Sequence, residues 1–255
     1  MYNENNTMNN ENNTMDNENN IKHALYLHNL LREYDKDKLC TDHNIEIEDK
    51  CIEHIDTHTD FYNTQYNSSW YKNITPLIYA CIRGSERIAN ILINKGADIH
   101  LQCGGKYTAI HDAVNGNMYS MVAELIKRGA DINIGNCDNR TPLITACMND
   151  YPKIAALLIQ SGADVHIQMN NKQTALSMAL GANVDTAILL MENGADIIDT
   201  DVLYKLRNSE SIVYHVYKHM YTQYNKSISA VVNGDHCFKQ TYVPGLIDII
   251  CDFIL

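Results

Sequence analysis

From about residue 71 onward, the sequence repeats with a period of 33 residues. Aligned on a threonine, four segments are similar: ITPLIYACIRG, YTAIHDAVNGN, RTPLITACMND and QTALSMALGAN. Their threonines, each 33 residues from the next, are Thr75, Thr108, Thr141 and Thr174. A Gly-Ala-Asp triplet follows each threonine, after 21 residues in the first three units and after 20 in the fourth. Such a period predicts a stack of similar supersecondary units, and the short fourth unit predicts one deletion between its two helices.

Each unit carries the signals of two short helices. The threonine suits a helix N-cap, and Pro76 and Pro142 follow it at a position where a missing N–H costs nothing. The glycine of each triplet suits the left-handed residue that ends a second helix. Apolar residues recur at helical spacing before these glycines, and we expect neighbouring units to bury them by stacking. The members of this stripe are Leu92, Leu125, Leu158 and Leu190, with Ala89, Val122, Ala155 and Ala187 one turn earlier.

These segments resemble the ankyrin repeat, whose unit begins near TPLHxA and ends near GAD[IV][NH]. The resemblance covers residues 71–198, and it implies an all-α ankyrin-repeat solenoid of helix-turn-helix units joined by short β-hairpin-like loops. Its four units run approximately over 71–103, 104–136, 137–169 and 170–201. Gly84, in the turn between the helices, is replaced by Asn117, Asp150 and Asn183 in the later units. Asn and Asp tolerate left-handed conformations, so we expect the turn to survive.

The segments outside the repeats differ from one another. Residues 1–20 repeat an Asn-rich heptamer with a single apolar position, which predicts a disordered tail. Residues 21–70 are interpreted as an N-terminal cap built from one degenerate helix pair and a loop ending at Trp70. Residues 199–232 suggest C-terminal capping helices that close the stack. Residues 233–255 form a distinct C-terminal segment.

Composition limits the classes of function. The chain has 20 basic and 31 acidic residues, a net charge of −11 and no basic block, which argues against nucleic-acid binding. No apolar run is long enough for a membrane span, and the N-terminus lacks the apolar core of a signal peptide. The eight cysteines lack the spacing of a disulfide framework or a zinc ribbon. We therefore expect reduced thiols, a cytoplasmic location and no membrane partner.

The sequence offers little catalytic chemistry. It contains no GxGxxG, GxxxxGK[ST], HExxH or GxSxG motif, and the prediction is a non-enzymatic protein without a cofactor. Cys51, His54 and His58, with Cys40 or His43 nearby, have residue types that zinc accepts. No second clamp completes a tetrahedral ligand set, so these residues are interpreted as solvated or capping side chains and no metal site is predicted.

The resemblance instead implies a protein-interaction module. In ankyrin arrays the hairpin tips and the concave face formed by the first helices contact partner proteins. Carried over by position, the candidate binding residues here are Tyr71, Lys72, Ile82, Arg83, Tyr107, Asp138, Arg140, Met148 and Asn149. Aromatic residues, Met and Arg are also the types enriched in protein interfaces.

The C-terminal sequence VPGLIDIICDFIL suggests an alternative function. It is similar to the opening helix of an F-box, and ankyrin proteins of large DNA viruses often end with a shortened motif of this kind. The resemblance implies docking to an adaptor of a cullin ubiquitin ligase, with the repeats recruiting the substrate. The matching residues are Pro244, Leu246, Ile247, Ile250 and Ile254. A C-terminal helix that folds back on the array would explain the same pattern.

The Asn-rich tail and the divergent repeats are also similar to those of ankyrin proteins expanded in giant DNA viruses. That resemblance implies host proteins as partners and the cytoplasm of an infected cell as the location.

Overall fold

The computed structural model describes residues 4–34 and 42–195, with side chains from residue 16 onward. Ten α-helices form the secondary structure of this part of the chain, and strand pairing within it is limited to two isolated bridges. The helices are α1 (Glu4–Glu33), α2 (Asp42–Thr57), α3 (Pro76–Arg83), α4 (Glu86–Asn94), α5 (Ala109–Asn115), α6 (Tyr119–Lys127), α7 (Pro142–Met148), α8 (Pro152–Gln160), α9 (Ala175–Ala182) and α10 (Val184–Glu192). Within these ranges, no helix is long and apolar enough to cross a membrane.

The helices are arranged as stacked antiparallel pairs in two layers. Helices α1, α3, α5, α7 and α9 form one layer, in which each helix packs on the next, and we call it the first-helix layer. Helices α2, α4, α6, α8 and α10 form the second-helix layer in the same way. Contacts are therefore made between consecutive pairs, which is the defining property of a solenoid. The predicted all-α solenoid is confirmed.

The predicted helix boundaries are confirmed by their hydrogen bonds. Thr75, Thr141 and Thr174 accept a hydrogen bond from the backbone N–H three residues later at 3.2, 3.3 and 3.1 Å. These contacts satisfy donors that have no partner within the helix. The glycines of the four Gly-Ala-Asp triplets all have φ between 86° and 96°, a region that residues with a Cβ rarely adopt.

The core of the solenoid is the predicted apolar stripe. Leu92, Leu125, Leu158 and Leu190, together with the four small residues one turn earlier, are completely buried. In the first-helix layer Ala80, Ala113, Ala146 and Ala179 are also completely buried, and these small side chains permit close helix packing. Cys81 and Cys147 lie beside them in the core, where burial raises the pKa of the Cys147 thiol to about 12. Both thiols therefore act as small apolar side chains.

The fourth repeat departs from the other three between its helices. Only Asn183 separates α9 from α10, whereas two or three residues separate the helices of the other repeats, so the deletion lies where the sequence predicts it. Asn117 and Asp150 adopt positive φ as expected, but Asn183 has a φ of −147°, and the prediction of a left-handed residue there is wrong. The shorter turn requires Asn183 to start α10 directly, and its side chain accepts from the Thr186 N–H at 3.0 Å.

The N-terminal pair α1–α2 continues the stack before the first repeat. Its buried face begins at Ala24 and includes Leu27 and Leu31 on α1 and Ile55 on α2, all completely buried. Helix α1 begins at Glu4, although its buried face begins only at Ala24, and the predicted disordered tail over residues 1–20 stays a prediction. Each residue added to an existing helix gains a backbone hydrogen bond, which allows a helix anchored at Ala24 to extend beyond its packed part.

Arg83 connects the N-terminal pair to the first repeat. Its guanidinium donates hydrogen bonds to the carbonyl oxygens of Leu31 at 3.0 Å, Arg32 at 3.2 Å and Tyr34, where α1 ends. A cation at this position satisfies carbonyls without helical partners and interacts favourably with the helix dipole. The sequence places Arg83 among the partner-binding residues, but the structure shows its head group used in this intramolecular cap.

Replacing Arg83 with methionine is expected to destabilise the N-terminal pair by about 2 kcal/mol, because hydrogen bonds to a charged donor contribute about 1.5–3 kcal/mol. Hydrogen exchange should show faster exchange of the amides of α1 and α2, with those of α7 and α8 unchanged. Arg128→Met is the matched control, since Arg128 is an exposed arginine whose partners, Glu124 and Asn94, both lie outside the N-terminal pair. Equal protection of the α1 amides from hydrogen exchange in Arg83→Met and Arg128→Met would show that Arg83 does not stabilise the end of α1.

Candidate functional site

The hairpin tips between consecutive repeats share one local geometry. At each tip the residue two positions before the N-cap threonine has a positive φ. These residues, spaced 33 apart, are Asn73, Lys106, Asn139 and Lys172. A backbone hydrogen bond closes the turn at the last three, from Cys103 to Tyr107 at 2.9 Å and from the equivalent residues at 3.1 and 2.9 Å. The first tip is closed by a bridge between Tyr66 and Ile74. The tips are therefore ordered turns of the fold.

Backbone hydrogen bonds also join each tip to the next. The N–H groups of Gly104, Cys137 and Asn170 donate to carbonyl oxygens on the preceding tip at 2.7, 3.1 and 2.9 Å. At the first of these junctions a Cβ on Gly104 would lie 2.9 Å from the Lys72 Cβ, so a close approach requires glycine. We call this series of connected turns the tip ladder. It holds the tips of all four repeats in a fixed row.

Four helix pairs with threonine caps, glycine ends and connected tips reproduce the unit expected from the sequence. Comparison with known proteins agrees, since the family model for ankyrin repeats in three copies matches residues 47–136 and 110–201, which together exceed half of the chain. The chain belongs to the ankyrin repeat family. The first match begins within α2, so it includes part of the N-terminal pair. No curated protein matches the chain.

The structure separates the predicted binding residues of the ankyrin array by exposure. Tyr71, Lys72, Asp138 and Met148 are exposed. Tyr71 and Asp138 lie on the tip ladder, and Met148 lies at the end of α7, in the first-helix layer. These four residues are available to a partner, and the Tyr71 and Met148 side chains are 36% and 39% exposed.

The remaining predicted residues are half-buried and serve partly in the fold. Ile82, Tyr107, Asn149 and Arg140 have intermediate exposure. The carbonyl oxygen of Arg140 accepts a hydrogen bond from the ring of His111 at 3.2 Å, while its guanidinium lies 4.0 Å from the Asp138 carboxylate. The Nε of Arg140 is buried and has no hydrogen-bond partner among the described residues, so only part of the head group is open to a partner.

Sequence reasoning missed the most exposed large apolar side chain of the first tip. Trp70 is 90% exposed, far more than any other large hydrophobic residue of the described chain. It precedes Tyr71, whose ring lies edge-on to the buried ring of Tyr79 with centroids 6.2 Å apart. Tyr79 in turn stacks on His28 at 3.8 Å. The first tip thus presents Tyr71 on a packed aromatic support, with the exposed Trp70 next to it in the chain. The signal in the sequence was the adjacent Trp-Tyr pair.

The first helix of the second repeat, α5, carries two buried ionisable residues. His111 Nδ1 accepts from the Thr108 N–H at 3.2 Å, so its Nε2 carries the proton donated to the Arg140 carbonyl in the next repeat. Burial lowers the pKa of His111 to about 4. Asp112 follows it, and one of its carboxylate oxygens has no hydrogen-bond partner among the described residues. Burial raises the pKa of Asp112 to about 7.

The two groups shift the pH dependence of stability in opposite directions. His111 has a pKa of about 4 in the folded chain and 6.5 in the unfolded chain, so between these values only the unfolded chain gains the proton. The free energy of unfolding therefore decreases as the pH falls from 6.5 towards 4, and this contribution is fully present above pH 6.5. The cost of ionised Asp112 is present above about pH 7 and disappears as the pH falls towards 3.8. Between these limits the two contributions offset each other.

Asp112→Asn is therefore expected to raise the free energy of unfolding at pH 8 by about 2 kcal/mol, since three pKa units correspond to at most about 4 kcal/mol. The variant should lose stability more steeply than the parent chain between pH 7 and pH 4, because the compensating carboxyl is gone. Denaturant unfolding at a series of pH values measures both effects. Asp150→Asn, at an exposed left-handed position, is the control and should leave the pH profile unchanged. If the free energy of unfolding of Asp112→Asn changed with pH in parallel with that of the parent chain, the Asp112 carboxyl would not have a raised pKa and the prediction would be wrong.

A second cluster of polar side chains lies in the N-terminal pair. The rings of His23, His54 and His58 have centroid separations of 4.0, 4.4 and 5.2 Å. Burial lowers the pKa of His23 and of His54, and the nearby His58 lowers both further. Cys51, the sequence's candidate partner for the two later histidines, is completely buried in the core, and burial raises the pKa of its thiol to about 12. His23 takes its place in the cluster.

Proposed function

We propose that the chain is a non-enzymatic protein-interaction module that binds its partner along the tip ladder and the adjoining ends of the first helices. The observation that carries this proposal is the row of ordered tips ending in Trp70 and Tyr71. Ankyrin repeats are generic protein-interaction units, which supports the same function at the level of the family.

The composition of this surface supports a protein partner. Trp70, Tyr71 and Met148 are exposed side chains of types that contribute strongly to protein interfaces. Lys72 and Asp138 add charges of both signs beside them. Because backbone hydrogen bonds fix the tips, a partner does not have to order them on binding, and the associated entropy cost is small.

The partner is proposed to be a host protein in the cytoplasm of an infected cell. The support for this step is the resemblance of the Asn-rich tail and divergent repeats to ankyrin proteins of large DNA viruses. The net charge of −11 favours a partner surface with basic residues and argues against nucleic acid.

Affinity purification from a eukaryotic lysate tests the proposed surface. The double variant Tyr71→Ala/Met148→Ala should lose proteins that the parent chain retains. Ile45→Ala/Tyr119→Ala is the matched control, because these residues are 46% and 47% exposed but lie on the second-helix layer. Mass spectrometry should identify the same proteins with the control and the parent chain. Retention of every protein by the tip variant would contradict the proposal.

A second candidate function is substrate recruitment for a cullin ubiquitin ligase. Its support is the F-box-like sequence containing Pro244, Leu246, Ile247, Ile250 and Ile254. These residues, together with the predicted C-terminal capping helices at 199–232, lie outside the described residues. Amphipathic helices with apolar residues at such spacing are bound in hydrophobic grooves of partner proteins, which supports an adaptor as the partner of this sequence.

Comparing the full chain with a chain that ends at Asn233 tests this second candidate. Recovery of a cullin adaptor only with the full chain would support the receptor function. Recovery of the same proteins with both chains, without an adaptor, would exclude it and leave the tip-ladder interaction.

A further inference from the structure

Three histidines from both helices of the N-terminal pair converge on one point. One ring nitrogen of each of His23, His54 and His58 lies within 4.8 Å of one ring nitrogen of each of the others. His23 belongs to α1, His54 to the last turn of α2, and His58 follows α2 directly. The backbone N–H of His58 donates to the His54 carbonyl at 3.1 Å, so the two later residues are one helical turn apart.

Hydrogen bonds to carbonyl oxygens orient two of these rings. His54 Nε2 lies 3.2 Å from the His23 carbonyl oxygen, and His58 Nδ1 lies 3.1 Å from the His54 carbonyl oxygen. A carbonyl oxygen can only accept, so these nitrogens carry the proton in the neutral rings. The Thr57 hydroxyl, 2.9 Å from His58 Nδ1, donates its own proton to the Glu53 carbonyl and can therefore accept from the same nitrogen. The lone pair is then on Nδ1 of His54 and on Nε2 of His58. Metal-binding histidines are commonly oriented by such a bond from their second nitrogen.

The environment of the cluster is apolar on one side and open on the other. Phe61 is completely buried, and its ring lies 5.5 Å from that of His54 and 6.2 Å from that of His23. His23 and His58 are only half-buried, which leaves access from solvent. Among the described residues, no ion pair joins these histidines to a carboxylate, so the imidazole nitrogens do not have a competing anionic partner.

We propose that His23, His54 and His58 bind a zinc ion, with a water molecule as the fourth ligand. Zinc accepts imidazole nitrogens in a tetrahedral arrangement with Zn–N distances of about 2.0–2.1 Å, which separates the ligand nitrogens by about 3.3 Å. Nitrogens now within 4.8 Å reach that separation through small side-chain movements, for which the half-buried His23 and His58 have room. The ion connects α1 to the end of α2 and stabilises the helix pair on which the first repeat stacks.

Zinc titration of the metal-free, reduced full-length chain tests this proposal. Isothermal calorimetry should show one site per chain whose affinity falls at least about tenfold in His23→Gln and in His58→Gln, because each removes a ligand. His43→Gln and His100→Gln are the matched controls, since both histidines are exposed and outside the cluster. Both controls should bind zinc as the parent chain does. Far-UV circular dichroism of the metal-free variants checks that α1 and α2 still form.

Cobalt(II) spectroscopy separates this site from binding by cysteine. Imidazole and water ligands should give visible ligand-field bands without the charge-transfer band of a cobalt–thiolate bond. Unchanged zinc affinity in folded His23→Gln and His58→Gln, no zinc binding by the parent chain, or a thiolate band would overturn the proposal. Each result is independent of partner binding along the tip ladder.

Discussion

Leu125→Ala is expected to lower the free energy of unfolding by about 3 kcal/mol, the central range for leucine-to-alanine changes in a well-packed core. Leu125 is completely buried in α6, which packs on α4 and α8 in the second-helix layer. Its side chain therefore contributes to the contacts on both sides of the second repeat. Because stability in a solenoid depends on contacts between neighbours, the loss weakens both junctions. Denaturant unfolding followed by far-UV circular dichroism measures the change.

Ile126→Ala is the control for Leu125, since it is the next residue on α6 but only half-buried. Its effect is expected to be less than half as large, because less apolar surface leaves water there on folding. Similar losses for the two variants would contradict the assignment of the leucine stripe as the core. An altered denaturant dependence would show that the array no longer unfolds as one unit.

Trp70→Ala is expected to weaken partner binding about 30-fold, corresponding to the loss of about 2 kcal/mol that is typical of an interface hot spot. Trp70 is 90% exposed in the free chain, so its removal should not change the free energy of unfolding. The measurement is the dissociation constant for a partner recovered by affinity purification. An unchanged thermal midpoint with a raised dissociation constant would assign the effect to the interface.

Tyr119→Ala provides the comparison for Trp70, because Tyr119 is 47% exposed at the start of α6 in the second-helix layer. Its dissociation constant should match that of the parent chain within about twofold, as for a residue outside an interface. Equal weakening by both variants would place the contact elsewhere on the array. A partner whose dissociation constant is unchanged by Trp70→Ala would exclude the first tip as an anchor.

The repeated part of the fold could be predicted from the sequence because each unit combines several local signals. Thr75 and Thr141 begin helices and the triplet glycines end them, and these effects need no knowledge of tertiary contacts. The leucine stripe was equally predictable, since its helical period identifies the buried face. Even the deletion in the fourth repeat follows from counting residues between Thr174 and Gly194.

The features that were missed depend either on residues far apart in the chain or on how one particular turn or loop closes. Arg83 caps carbonyls about 50 positions earlier, and no local pattern distinguishes this use from an exposed arginine. His23 joins His54 only because α1 and α2 pack together. The conformation of Asn183 depends on how the shortened turn closes, and the exposure of Trp70 depends on the loop that leads into the tip. Such arrangements are set by packing and are read from the structure.

Hydroxyl-radical footprinting of the chain with and without a recovered partner tests the central claim most directly. Trp, Tyr and Met side chains react readily, and the chain offers them on both surfaces. If the tip ladder is the binding surface, the partner protects Trp70, Tyr71 and Met148 from oxidation and leaves Tyr119, on the second-helix layer, unchanged. Protection confined to Tyr119 and the second-helix layer, with Trp70 and Tyr71 still fully reactive, would contradict the claim.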